Sequence, residues 1–256
     1  MTADAGAVVE VADLRPIGRP ESVALARTET ERMVALLRSL TPGDWSRPTD
    51  CAAWDVRAMA GHVLGMNETF SGVRRFVTTM AAGQRAAGDG PAIDGITAVQ
   101  VRANAGLSAA ELVRRMEVAG PRQARWRGRR RLMRAIPMTE ELPEGGTERW
   151  RLAFVLDIIL TRDTWMHRVD IARATGRPLQ LTAEHDGRIV ADVVREWAER
   201  HGQQFRLHLT GPAGGAFVGG ASPPPAEHPV LDAVQFCRIL SGRATGEGLL
   251  GQRVPF

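Results

Sequence analysis

Asp163, His167 and Asp170 stand four and three residues apart in a stretch running from Arg162 to Pro178. On a helix these spacings place all three on one face. Leu156 and Leu160 share the stripe and turn that face toward a core. A carboxylate and an imidazole in a core must be hydrogen-bonded, paired or bound to a metal, because burying them bare is costly. His62, on the inward edge of an earlier helical stripe between Met59 and Met66, is a third such group. Two imidazoles and one carboxylate suit a divalent transition metal, Zn²⁺ first, with a further position open to water or substrate. A bonded Asp163–His167 pair, with His62 a satisfied core histidine, would equally content these residues. Spacing alone leaves both arrangements open.

The elements that must carry these groups are mostly helices. Ala26, Met33, Leu37 and Leu40 follow helical spacing over residues 22–40, and Thr41-Pro42-Gly43-Asp44 ends that helix. A turn-rich connector with Trp45 and Trp54 leads to Asp55, placed to cap a second helix whose stripe is Val56, Met59, Val63, Met66, Phe70 and Val73. Residues 82–95 are Gly-rich and predict a loop. A third helical region spans residues 96–117, with Ser108 and Glu111 as a capping box that restarts it and Gly120-Pro121 as its end. Residues 137–146 read as a loop, and a long helix from Trp150 to Thr175 closes at Gly176 and Pro178. Such helices fit an antiparallel four-helix bundle. Beyond it, a helix capped by Thr182 runs to His201, Phe205–Leu209 alternates like a half-buried strand, and Ala216–Val218 is a second strand. A Pro-rich loop over residues 222–229 and a helix over 232–240 complete a small α+β domain. The expected organisation is a flexible N-terminal arm over residues 1–20, a metal-binding bundle over 21–180 and the α+β domain over 181–256.

Composition narrows the function classes. The 44% apolar and 24% charged shares are ordinary for a globular chain. No apolar run is long enough to span a membrane and no signal-peptide pattern opens the sequence, so the expected location is cytoplasmic. Cys51 and Cys237 make no disulfide framework; Cys51 as a nucleophile is a weaker reading than Cys51 as core filler. Every basic side chain is Arg, and the net charge is only +4. His185, His201, His208 and His228 read as surface or cap residues.

Several motifs together resemble the mycothiol-dependent maleylpyruvate isomerase family: Pro48-Thr49-Asp50-Cys51-Ala52-Ala53-Trp54 followed by Gly61-His62-Val63, Arg162-Asp163 through Asp170-Ile171-Ala172, Leu209-Thr210-Gly211-Pro212-Ala213-Gly214-Gly215, residues 236–243 and the Val254-Pro255-Phe256 end. The resemblance implies a DinB-like metal-binding bundle followed by the family's C-terminal domain. The family's His, Glu and His metal triad falls on His62, Asp163 and His167, with Asp163 one methylene shorter than the usual Glu. It implies a divalent metal, Zn²⁺ by ligand type, mycothiol as thiol cosubstrate, and an isomerase or S-transferase acting on a small electrophile. The cation would lower the pKa of the thiol, so no protein nucleophile is required. Arg238 and Arg243 are candidates to grip a substrate carboxylate, with ion pairing as the ordinary alternative. Asp170 is a candidate to orient a ligand imidazole, or to pair with Arg173 or Arg177.

Two other classes compete. The same fold and metal could serve a ligand binder without isomerase activity. Alternatively, the Arg-rich segment 122–134, with Trp126 inside it, could bind nucleic acid, holding phosphates and stacking a base. The modest charge and the lack of a recognisable DNA-binding motif weigh against that reading, so nucleic acid is the less expected partner.

Overall fold

The computed structural model describes residues 7–130, 132–141, 145–220 and 228–256. The chain divides into two compact units, Gly18–Leu179 and a second built from residues up to Ile17 together with Gln180–Phe256. The N-terminal segment is therefore no loose arm among its described residues. Strand β1 (Val9–Glu10) pairs in parallel with a strand near the far end of the sequence, and a 3₁₀ turn (Val11–Asp13) follows it. Val11 is buried, which is the apolar contact that holds so short a strand down.

The first unit is a four-helix bundle. Helix α1 (Arg19–Arg38) packs on α5 (Ala109–Arg129) and α7 (Leu160–Thr175), and α2 (Val56–Thr69) packs on the same two helices. Their shared core holds Met33, Leu37, Met59, Val63, Leu112 and Ile171. Asp55 caps α2 by accepting from the amide of Ala58 at 2.8 Å, and Ser108 caps α5 through Glu111 N at 3.2 Å. The bidentate pair of Arg168 with Glu29, at 2.6 and 3.1 Å and nearly sealed from solvent, ties α7 to α1.

The helical spacing was misleading at four places. The stripe of α2 stops at Phe70; α3 (Val73–Ala87) begins afresh and Val73 is 46% exposed. The Gly-rich segment 82–95 is no loop, because α3 continues to Ala87 and α4 (Ala92–Asn104) starts after only four intervening residues. Its glycines serve close packing. A Cβ on Gly83 would lie 2.4 Å from Ile96, and one on Gly95 would lie 2.1 Å from the carbonyl oxygen of Gly83. Nor does Gly120-Pro121 end α5: buried side chains on both sides of the proline, Met116 and Ala119 before it and Ala124 and Trp126 after, hold the helix together across the break. Residues 137–141 also form a strand rather than a loop, and residues 142–144 lie outside the described residues. β2 (Pro137–Glu141) pairs antiparallel with β3 (Thr147–Arg151), so Trp150 is a strand residue.

The last bundle helix opens at Leu152 as α6 (Leu152–Phe154), widens through one π turn (Val155–Ile159) and continues as α7. Gly176, left-handed at φ 66°, ends it.

In the second unit, Thr182 caps a π turn (Ala183–Gly187) that leads into α8 (Arg188–His201). Strands β4 (Phe205–Thr210), β5 (Gly215–Gly219) and β6 (Val230–Asp232) join β1 in a sheet ordered β1-β5-β4-β6, and α9 (Ala233–Leu240) follows. Phe205, Leu207 and Leu209 face inward as the alternation predicts. Trp197 centres this core, its indole N–H donating to Leu249 O at 2.9 Å. The third strand, β6, is too short to leave an alternation in the sequence, and most of the Pro-rich loop before it lies outside the described residues. His185 is buried rather than superficial.

Candidate metal centre

The bundle brings His62, Asp163 and His167 together, the first from α2 and the others from one face of α7. One donor atom from each lies within 4.8 Å of the others. Asp163 offers one carboxylate oxygen to each histidine: Oδ1 is 3.3 Å from His167 Nε2 and Oδ2 is 3.5 Å from His62 Nε2. Short as it is, the aspartate reaches both rings. The imidazoles meet edge to face with centroids 5.2 Å apart.

Asp170, fully buried one turn further along α7, places Oδ2 3.3 Å from His167 Nδ1. Arg173 and Arg177 are paired elsewhere, with Asp50 and Asp44 respectively. An acceptor at Nδ1 makes that nitrogen the protonated one and leaves Nε2 to hold either a second proton or a lone pair aimed at a cation. Without a cation the second proton is favoured. Burial opposes the imidazolium, but the carboxylate of Asp163, assisted by Asp170, overcomes it and raises the pKa of His167 from 6.5 to about 9. Burial likewise opposes the Asp163 carboxylate, yet His167 and then His62 hold its pKa far below the usual range.

These residues fit a divalent cation. The nitrogen and oxygen donors are of the type and number such an ion takes. Asp163 Oδ2 is buried without a hydrogen bond, its contact with His62 being too long for one, and His62 Nδ1 has no partner.

Trp54 covers the histidines, its ring 4.9 Å from His62 and 5.8 Å from His167. The turn before α2 fixes it: Trp54 N donates to Cys51 O at 2.8 Å, and Thr49 Oγ1 donates to Trp54 O at 2.9 Å. In the sequence Trp54 was a connector tryptophan without a role; its signal was its place seven residues before Gly61-His62. The same turn brings Cys51 within 4.8 Å of donor atoms on His167 and Asp170.

Arg238 and Arg243 belong to the second unit. Arg238 is largely buried on α9 and donates to Gln235 Oε1 at 2.8 Å, with Arg243 O at 3.5 Å. The Arg-rich segment is not a continuous surface patch. Trp126 is buried against Phe70 and Phe76, Arg134 is ion-paired with Asp157, and Arg127 is 1% exposed; Arg131 lies outside the described residues. Arg127 entered the sequence reading only as part of the Arg-rich segment, yet its side chain is buried. It donates to Thr161 Oγ1 at 3.0 Å, and burial, only partly offset by Asp157 and Asp163, lowers its pKa to about 9.

Fold and site together define a DinB-like helical bundle that gathers a His–Asp–His centre and is joined to a small α+β unit. Residues 26–172 match the family described as the mycothiol maleylpyruvate isomerase N-terminal domain, and the chain belongs to that family. Two solved structures share the fold across 93% of both chains. One is the mycothiol-dependent maleylpyruvate isomerase, at TM-score 0.55 and 15% identity. The other is a histidine-to-alanine mutant of the mycothiol-dependent maleylpyruvate isomerase, at 0.54 and 14%. No curated protein matches the chain by sequence. No helix among the described residues is long and apolar enough to cross a membrane.

Proposed function

We propose that this protein is a metal-dependent enzyme that uses mycothiol to isomerise, or to transfer sulfur to, a small electrophilic substrate. The observation that carries the reading is the convergence of His62 Nε2, His167 Nε2 and the two oxygens of Asp163 in the bundle interior. Family membership and the shared fold of the two isomerase structures support it.

His62, Asp163 and His167 would hold the cation, with Zn²⁺ the best match to two imidazoles and a carboxylate. A cation held there supplies positive charge that keeps a nearby thiol ionised near neutral pH. Asp170 fixes His167 with Nε2 turned to the site. Trp54 shields the two histidines on one side and lowers the local dielectric, which strengthens every charge interaction beneath it. Asp163 would neutralise part of a bound cation's charge, and the net positive charge left over would attract a thiolate.

The test is metal content by mass spectrometry on untagged protein, beside His62→Ala and His167→Ala. About one equivalent of metal in the parent, lost in both variants, is the expected result, and it precedes assays of mycothiol with electrophilic substrates. A parent that is empty and refuses added Zn²⁺ overturns the reading.

A further inference from the structure

The outer face of α5 carries more positive charge than its neighbours cancel. Arg115, Val118 and Arg122 recur at spacings of three and four and so share one face, with Arg114 beside them. From Val118 to the end of the helix at Arg129 there is no acidic residue. A cavity of about 130 Å³ lies against this face, bounded on its other side by Glu68 of α2, Ser71 just past that helix and Arg75 of α3. Its lining holds four arginines, and Glu68 is the one acid among them. Both oxygens of Glu68 are taken. Arg115 donates from Nε to Oε1 at 3.0 Å and from Nη2 to both oxygens, at 2.6 and 2.7 Å, while Arg75 Nη1 donates to Oε2 at 3.0 Å. The carboxylate is thus a strut that fixes two guanidinium groups and leaves Nη1 of Arg115 and most N–H groups of Arg75 uncommitted. Arg114 is paired with Glu111, which is not part of the lining. Arg122 is exposed and has no ion-pair or hydrogen-bond partner for its side chain among the described residues. Four guanidinium groups against two carboxylates leave a surplus of two positive charges.

We propose that this cavity is a binding site for a single phosphate group, gripped by Arg75, Arg115 and Arg122 on the outside of the bundle. A phosphate carries a charge of about −1.5 to −2 near neutral pH, which matches the surplus, and its oxygens match the forks of the guanidinium groups. The volume sets the size of the ligand. Pockets for drug-sized molecules run to roughly 300–1,000 Å³, so this one admits the phosphate and leaves any carrier attached to it in solvent. Like charges gathered with too little acid repel one another, and an anion seated among them removes that cost. Glu68 lies six residues beyond His62 on α2 and on a different face, so the site needs neither the metal nor a thiol.

The experiment is calorimetric titration of the intact chain with inorganic phosphate and with glycerol 3-phosphate at constant ionic strength, beside a short DNA duplex. Arg122→Gln, Arg122→Lys and Arg129→Gln are compared with the parent, the last being the same loss of charge away from the cavity. Both positions are exposed, so the melting temperatures without phosphate should match the parent's. The expected result is saturable binding of one phosphate group, weakened at least about tenfold in Arg122→Gln, less in Arg122→Lys and unchanged in Arg129→Gln. Phosphate should also raise the parent's melting temperature more than chloride does at equal ionic strength. Glycerol 3-phosphate bound more tightly than the free ion identifies an ester as the ligand, and equal affinity identifies inorganic phosphate; either upholds the site. No saturable phosphate binding, or equal losses in Arg122→Gln and Arg129→Gln, overturns the proposal. A duplex bound more tightly than phosphate, and weakened equally by both substitutions, would put a polyanion surface in its place.

Discussion

At the scale of single residues, His167 is the hinge of the site because its Nε2 is contested by a proton and a cation. In the metal-free protein its pKa lies above the ordinary 6.5, at about 9. The imidazolium therefore stabilises the fold fully below about pH 6.5, and that contribution is lost as pH rises through about 9. Asp163 has the opposite sign: its pKa is depressed, so its contribution is present above the ordinary carboxylate range and is lost in acid. Denaturant melts of EDTA-treated protein should thus weaken between pH 6.5 and 9, by on the order of 3 kcal/mol at most. In Asp170→Asn the fall should be smaller and should end at lower pH, because only the folded-state pKa moves. A flat profile across that window would contradict the assigned proton positions. The spacing of Asp163, His167 and Asp170 on one face was legible in the sequence because a helix converts spacing into direction. Trp54 and Arg127 were not legible. Trp54 depends on a turn whose hydrogen bonds no periodicity reports, and Arg127 resembles any solvated arginine until its side of the helix is known to be buried.

At the scale of elements, the misread boundaries share a cause. Glycine and proline signal breaks locally, but here they sit where helices touch. A Cβ on Gly120 would lie 2.3 Å from Thr30 Cγ2 on α1, so the residue before Pro121 marks a crossing point rather than an end. Alanine at an ordinary helix interior is favoured over glycine by roughly 1 kcal/mol. Gly120→Ala should reverse that sign and destabilise by about 1–3 kcal/mol through overpacking, with Thr30→Ala restoring part of the loss. Paired thermal melts of the single and double variants check this. The turns around Thr41, Asp55 and Ser108 were read correctly because capping chemistry is local, whereas α3 and α4 bury only glycines and polar side chains and β2 and β3 are half-exposed, so none of them leaves a fully buried apolar stripe in the sequence.

At the scale of the whole molecule, the second unit is discontinuous in sequence, closed by β1 from the start of the chain. Deleting residues 1–17 should leave the bundle folded and expose the edge of β5. Amide exchange at Phe217 and Val218 should then accelerate at least tenfold while amides of α2 and α7 keep their protection. Unchanged exchange at β5 would mean that β1 contributes nothing to the sheet.

That pairing also sets an order of events during synthesis. β1 leaves the ribosome first, and its partner β5 follows only after about 200 further residues, a wait on the order of 10–40 s at typical elongation rates of roughly 5–20 residues per second. The whole bundle is translated within that interval and can condense while the strand is still single. Two residues of unpaired strand are too few to template aggregation, so the brevity of β1 protects the nascent chain through the delay that its position imposes.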